Sequence, residues 1–184
     1  MFDSKKYWER RYKKGGSSGA GSCGILGRYK AFVINEFVKN NDIRTVCDLG
    51  CGDKQFVLYD VPDFTGYDVS SFIIEKNKKK YRHKFTASMD DLTHYDLTIS
   101  MDVILHLIEG DVYQEYMKNL FRLSDKYVII YSPNKNEILK RKHNRYREFL
   151  PDVPPDFELI EFIDNPHKGV STQADFYIFK KRYG

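Results

Sequence analysis

The segment TVCDLGCGDKQF, Thr45 to Phe56, limits what this chain can fold into more than any other stretch. Thr45 to Leu49 has the β-branched, apolar character of a buried strand, and around its end stand Asp48, Gly50, Cys51 and Gly52. Glycines at such a place let the backbone turn tightly and approach a ligand where a Cβ would collide. A second apolar run closes on Gly66, Tyr67, Asp68 and Val69, and Asp68 follows Asp48 by 20 residues (68 − 48). That is the spacing at which an acid ending the second strand of a nucleotide-binding sheet meets a ribose.

The pattern argues against a dinucleotide. Position 55 is Gln55, where G-x-G-x-x-G needs its third glycine, and the Asp48 carboxylate would repel a pyrophosphate. The same carboxylate attracts an ammonium or a sulfonium group, and Asp68 can accept hydrogen bonds from two ribose hydroxyls. Each residue also has an ordinary structural explanation: Asp48 as a loop-bonding carboxylate, Cys47 as a small core filler, Asp68 as a turn residue.

Short apolar runs recur along the chain with helical stretches between them. Strands are expected at Thr45 to Leu49, Phe64 to Asp68, Lys84 to Ala87, Asp96 to Ser100, Tyr127 to Ser132, Phe157 to Asp164 and Asp175 to Lys181. Helices are expected over Lys30 to Lys39, from a Ser71 cap through Ile74 to Lys79, and from an Asp111 cap with Val112, Tyr116, Leu120 and Leu123 on one face. Strands alternating with helices imply parallel pairing. The expected architecture is therefore a Rossmann-like α/β fold: an open, seven-stranded, mostly parallel sheet with helices on both faces. The last two strands, with no good helix between them, should form an antiparallel hairpin at one edge.

Length and charge set the class. The chain has 184 residues, 30 Lys and Arg against 26 Asp and Glu, and 41% hydrophobic residues, which suits one soluble domain over 1–184. No run approaches the roughly 18 apolar residues of a membrane span, and MFDSKKYWERRYKK lacks the apolar centre of a signal peptide, so a cytoplasmic protein is expected. Cys23, Cys47 and Cys51 form no CxxC pair, which disfavours a disulfide framework or a structural metal, and no metal site is expected. Two basic runs stand out: Lys76, Lys78, Lys79, Lys80, Arg82 and Lys84, and then Lys140, Arg141, Lys142, Arg145 and Arg147. The ordinary meaning of such runs is a solvated surface; the functional one is docking of an anionic acceptor.

With Asp48, the spaced glycines and Asp68 in place, the sequence resembles the class I S-adenosylmethionine-dependent methyltransferases, roughly from Tyr7 to Phe179. The resemblance extends to Ser88-Met89-Asp90, where the family places adenine contacts, and to SMDVILHL at Ser100 to Leu107, beside the methyl group. It implies S-adenosylmethionine as cofactor. The cofactor-binding set is then Tyr7, Trp8, Tyr12, Asp48, Gly50, Cys51, Gly52, Gln55, Asp68, Val69, Ser88, Met89, Met101 and Asp102, with His106 as the candidate base. One departure stands in the first motif: Lys54 occupies a position where many members carry a further glycine. YWERRY followed by GGSSGAGS resembles a subgroup tied to surface-polysaccharide and capsule biosynthesis, implying a small or carbohydrate-linked acceptor methylated at oxygen.

Two segments lie outside the alternation. In 1–29, an aromatic amphipathic stretch meets the Gly/Ser run, which reads either as a flexible linker or as a lid over the cofactor. Tyr7, Trp8 and Tyr12 sit at helical spacings and serve either as core packing or as an aromatic wall near a cation. The basic segment 133–156 is read as a substrate-side loop. Ser17, Ser18 and Ser22, with Arg145 and Arg147, would hold an anionic group on the acceptor. His106, flanked by Ile104, Leu105, Leu107 and Ile108, is equally well explained as a packed histidine bonded to backbone. The absence of [DN]PP[YF] and of a Pro-Cys pair disfavours bulk DNA methylation. An RNA or protein methyltransferase, and a cofactor-binding module without catalysis, remain as alternatives.

Overall fold

The computed structural model describes residues 2–54, 61, 63–139, 143–169 and 172–182. Among the described residues nine strands and four α-helices follow one another: α1 Ser4–Lys13, α2 Gly24–Asn40, β1 Thr45–Leu49, β2 Asp63–Tyr67, α3 Ser71–Lys80, β3 Lys84–Thr86, β4 Tyr95–Met101, α4 Gly110–Arg122, β5 Ser124–Ser132, β6 Glu137–Ile138, β7 Arg145–Tyr146, β8 Phe157–Ile163 and β9 Asp175–Lys181. Seven of the strands form one sheet in the order β3-β2-β1-β4-β5-β9-β8, while β6 and β7 pair separately. Pairing is parallel from β3 through β5, and β9 runs antiparallel to both β5 and β8. All seven expected strands are therefore present, with the antiparallel hairpin at the expected edge. The order reverses at β1 and β4, and the crevice of such a sheet opens beyond its carboxyl ends at that reversal.

Alternation along the strands sends successive side chains to two cores. Val46, Leu97, Ile99, Ile129 and Ile178 pack with Val33, Ile34 and Phe37 of α2 and Ile73 and Ile74 of α3. Cys47, Leu49, Val128, Ile130 and Phe179 pack with Tyr113, Met117, Leu120 and Phe121 of α4 on the opposite face. A parallel sheet buried on both sides reads as continuous apolar strands, which is why the strands were legible.

Helix ends and faces differ from the expectation in three places. α2 begins at Gly24, six residues before Lys30, because Gly24 and Gly27 mask a pattern that still buries Leu26. Ser70, not Ser71, caps α3, its hydroxyl accepting from the Ile73 N–H at 3.3 Å. Asp111 lies in the first turn of α4 rather than at its cap, and the buried face is Tyr113, Met117, Leu120 and Phe121, which turns Val112 outward at 40% exposure. The first basic run ends α3 as an exposed row, Lys78 to Lys80, where cations complement the helix dipole. Among the described residues no helix is long and apolar enough to cross a membrane.

Candidate active site

The loop after β1 is built by backbone bonds to β2. Gly50 and Cys51 both donate their N–H to the Tyr67 carbonyl, at 2.7 and 2.8 Å. Gly50 has φ +87°, and a Cβ on it would lie 2.5 Å from a Val103 methyl, so glycine is required both by conformation and by the approach of the residues following β4. Gly52 has a different partner from the expected ligand: its missing Cβ makes room for Ser18 Oγ and the Tyr12 hydroxyl, which would lie 2.2 and 3.1 Å from it. Lys54 takes the left-handed turn at φ +47° without a glycine. Its ammonium is buried 3.3 Å from the Phe64 ring centroid, and burial pushes its pKa down to about 8. Gln55 lies outside the described residues, as do Lys140, Arg141 and Lys142.

Beyond the strand ends lies a cavity of about 580 Å³, within the range of small-molecule sites. Its floor is Asp48, Gly50, Cys51, Tyr67, Asp68 and Val69 from β1, β2 and their loops. Met101, Asp102, Val103, His106 and Leu107 supply one wall, Trp8, Tyr12, Ser18 and Ser22 another, and Lys5, Lys6, Asp111 and Val112 also line it.

Three acids dominate its electrostatics. Asp48 is 2% exposed and its Oδ1 has no hydrogen-bond partner among the described residues. Burial pushes its pKa up to about 6, with Lys54 and Lys30 opposing. Asp68 is also raised to about 6 by burial, although its two oxygens accept from the Ser70 N–H at 2.9 Å and the Gly52 N–H at 3.0 Å. Asp102 has φ +60° and is held by the fully buried Lys30 ammonium at 2.7 Å. Lys30 was read only as the start of a helix; its burial depends on a partner 72 positions away, for which one sequence carries no signal.

The N-terminal segment closes the cavity. The Ser4 N–H donates to Glu109 at 2.7 Å and its hydroxyl to the same carboxylate. Glu9 accepts from the Ser70 hydroxyl and from the Phe72 N–H. Ser18 donates its hydroxyl to Asp53 at 2.7 Å and lies 3.1 Å from the Tyr12 hydroxyl. The Gly/Ser run is thus bonded through Ser18 to Asp53 in the loop after β1. Tyr12 is 4% exposed in the core and also lines the cavity wall.

Other expected contacts fall elsewhere. Tyr7 stacks on His143 with centroids 5.0 Å apart and stays outside the lining. Ser88 caps the turn Met89–Asp91, and Met89 packs on the α4-side core; neither lines the cavity. Ser17 spends its carbonyl on Arg11 at 2.6 Å. Arg145 is exposed on β7. Arg147 is 9% exposed and donates to the Leu107 and Ile108 carbonyls, so its guanidinium serves the backbone instead of an acceptor anion.

His106 lies in the wall with its Nδ1 3.0 Å from the His143 carbonyl and its ring edge-on to Trp8. A carbonyl can only accept, so Nδ1 carries the proton of the neutral ring and Nε2 remains the basic nitrogen. Burial holds its pKa below the usual imidazole value. Ser4, Lys30, Glu109 and Tyr116 were not anticipated from the sequence, whereas Val103, like Met101, is the apolar wall expected there. The Tyr116 hydroxyl lies 2.9 Å from the Leu49 carbonyl and 2.7 Å from Ser100 Oγ, where it braces the end of β1.

No protein-family model matches the chain, and no curated protein sequence does. Solved structures do match. The N-methyltransferase NodS from Bradyrhizobium japonicum WM9, in complex with S-adenosyl-L-homocysteine, is 11% identical with a TM-score of 0.75, covering 99% of this chain and 100% of that one. Magnesium protoporphyrin IX methyltransferase from Synechocystis PCC 6803, with bound S-adenosylmethionine, is 17% identical at a TM-score of 0.67 over 98% of both chains. An S-adenosylmethionine-dependent methyltransferase from Clostridium acetobutylicum ATCC 824 is 12% identical at 0.64, covering 98% of this chain and 100% of that one. The shared architecture is that of the seven-stranded methyltransferase sheet.

Proposed function

We propose that this chain, which has the methyltransferase fold, is an S-adenosylmethionine-dependent methyltransferase acting on a small acceptor. The observation that carries the reading is Asp48: a buried carboxylate, one oxygen of which has no hydrogen-bond partner among the described residues, set beside Asp68 in a cavity of about 580 Å³. An unpaired buried acid is costly unless a cation meets it. The donor set fits this cofactor. Asp48 and the Lys30-held Asp102 suit its cationic amino-acid end, Asp68 its ribose hydroxyls, and Trp8 and Tyr12 supply π faces near a positive sulfur. Bound there, the cofactor supplies an electrophilic methyl group.

The residues of the chain position, desolvate and move a proton. α1 and Ser18 exclude water from above. His106, neutral at pH 7 and holding its proton on Nδ1, offers Nε2 to an acceptor hydroxyl. His106→Asn is expected to lower kcat about 10² to 10⁴-fold, the usual worth of a general base, with S-adenosylhomocysteine affinity unchanged. Wild-type kcat in this variant would leave His106 as packing and point to an acceptor that is already anionic.

The acceptor is read as a small or glycan-linked molecule methylated at oxygen and bearing phosphate or carboxylate. Lys5 and Lys6 in the lining support the anionic group; the glycan link rests on the resemblance of the N-terminal segment. The alternative of an RNA acceptor rests on the exposed lysine row of α3, and it requires steeply salt-dependent binding. Transfer of labelled methyl groups into an extract, with and without phosphorylated sugars, separates these acceptors from each other and from a non-catalytic module.

Binding of the cofactor should depend on pH. Both acids have folded-state values near 6, above the ordinary 3.8, so the protonated forms persist to higher pH in the folded protein. The cofactor's cationic end binds the ionised form of Asp48. Affinity for S-adenosylmethionine should therefore rise about tenfold per pH unit below pH 6 through Asp48 and level off above about 7. Calorimetry from pH 5 to 8 with S-adenosylmethionine, NAD and ATP tests both points; preference for NAD would overturn the assignment.

A further inference from the structure

The segment 133–156, expected to face the acceptor, turns inward at Arg147. Its guanidinium donates to the Leu107 carbonyl from Nε at 3.3 Å and from Nη2 at 3.0 Å, and to the Ile108 carbonyl at 2.9 Å. It lies 4.5 Å from the centroid of the Tyr113 ring, whose hydroxyl donates to Asp152. The two carbonyls belong to the residues directly after His106, at the end of the turn Ile104–His106. The same segment supplies the His143 carbonyl that accepts from His106 Nδ1.

We propose that Arg147 is a positioning residue for the base: by gripping the carbonyls of Leu107 and Ile108 it locks the His106 ring onto the His143 carbonyl, which fixes the tautomer leaving Nε2 unprotonated. The inference rests on the methyltransferase reading and adds to it a residue outside the cavity. Two carbonyls following a short turn have no helical partners of their own, and a planar fork with its donors at fixed angles holds both in one geometry, which the freely rotating ammonium of a lysine does not fix. Without that grip the turn can shift, and a small rotation of the ring is enough to break a bond aligned at 3.0 Å. The Ser4 hydroxyl oxygen, its proton donated to Glu109, lies 3.0 Å from the His106 carbonyl on the other side of the turn and does not reach the ring.

The charged and titratable groups around the ring are Asp102 from the end of β4, His143 from the late segment and Arg11 from α1. None is removed by a change at Arg147, so a shift in His106 reports its placement rather than a lost neighbour. The test is nitrogen-15 NMR of the histidine rings in the full chain, without ligand, comparing wild type with Arg147→Gln and Arg147→Lys. The wild type should show His106 as the Nδ1–H tautomer, titrating below 6.5. In Arg147→Gln the tautomers should mix and the titration should move further below 6.5, because the bond to the His143 carbonyl favours the charged ring, while S-adenosylhomocysteine affinity stays within about twofold. Arg147→Lys, retaining the charge and donors but not the fixed planar fork, should lie between the two, and it carries the comparison if the Gln variant does not fold. The acid limb of kcat, measured once an acceptor is in hand, should follow the NMR shift with KM for the cofactor unchanged. Identical His106 tautomer and titration in wild type and variants would overturn the positioning role. Failure of wild type to bind S-adenosylhomocysteine would instead remove the reading beneath it, whatever the NMR shows.

Discussion

Asp48→Asn is expected to weaken cofactor binding by up to about 10²-fold while making the ligand-free protein more stable. The two effects have one cause. Asp48 is 2% exposed, and its pKa near 6 arises mainly because burial penalises the charge, with Lys54 and Lys30 recovering only part of the loss. A carboxyl whose folded value exceeds its unfolded one favours folding in its protonated form. That contribution is full below about 3.8 and is lost as pH rises through about 6, so at pH 7.5 the ionised group is a net burden. A shift of about two units corresponds to roughly 3 kcal/mol. Asn has nearly the same shape and no charge, but it leaves the buried Lys54 ammonium without this neighbouring anion, so a gain of about 1 to 3 kcal/mol is expected. For a domain of this size each kcal/mol moves Tm by about 2 to 4 °C. Binding moves the other way, because a charge-assisted contact in a dry site is worth about 3 kcal/mol or less and Asn cannot supply it. Thermal melts at pH 7.5 and pH 5 check the stability arm, and the gain should shrink at pH 5. A variant that melts lower than wild type, or one that binds S-adenosylmethionine normally, would remove Asp48 from the role assigned to it.

The same residue shows how much a sequence carries. Asp48 and Asp68 were legible because two parallel neighbours in register, with Asp48 opposite Gly66, turn a fixed chain spacing into proximity at the strand ends. Parallel pairing and the edge hairpin were legible for a similar reason: connection length decides parallel from antiparallel pairing. What could not be read depends on side chains from distant elements meeting by packing alone. Lys30 on Asp102, Ser4 on Glu109 and Glu9 on Ser70 are separated by 61 to 105 positions and follow no local period. Arg147 was misplaced for the opposite reason. Its composition context is a basic loop, and composition cannot tell an arginine reaching for solvent anions from one bonded to backbone carbonyls. Gly52 likewise announced a close approach correctly, but the approaching group is Ser18 of the chain itself.

Removing residues 1–14 should lower cofactor affinity about 10² to 10³-fold in a chain that still folds. The sheet and helices α2, α3 and α4 form both cores, and α1 contributes only Tyr12 among their buried residues, with Trp8 packed at the margin. Losing one buried aromatic typically costs about 3 to 5 kcal/mol, which a protein of ordinary stability survives only narrowly. The truncated chain is therefore best compared below 20 °C, beside the milder Trp8→Ala. The effect on binding should exceed the loss of wall contacts, because α1 also reaches the acid beneath it. Glu9 holds the hydroxyl of Ser70, and the Ser70 N–H donates to Asp68 at 2.9 Å, so cutting α1 loosens the carboxylate assigned to the ribose. Glu9→Gln keeps the wall and weakens that hold, and it should cost about tenfold through faster dissociation, since a lid that no longer stays closed changes koff more than kon. Stopped-flow displacement of S-adenosylhomocysteine by excess S-adenosylmethionine separates the two rates. If the truncated chain keeps wild-type affinity and koff, α1 is packing alone, and the cavity must be reached and held from the α4 side, by Asp111, Val112 and the residues around Leu107.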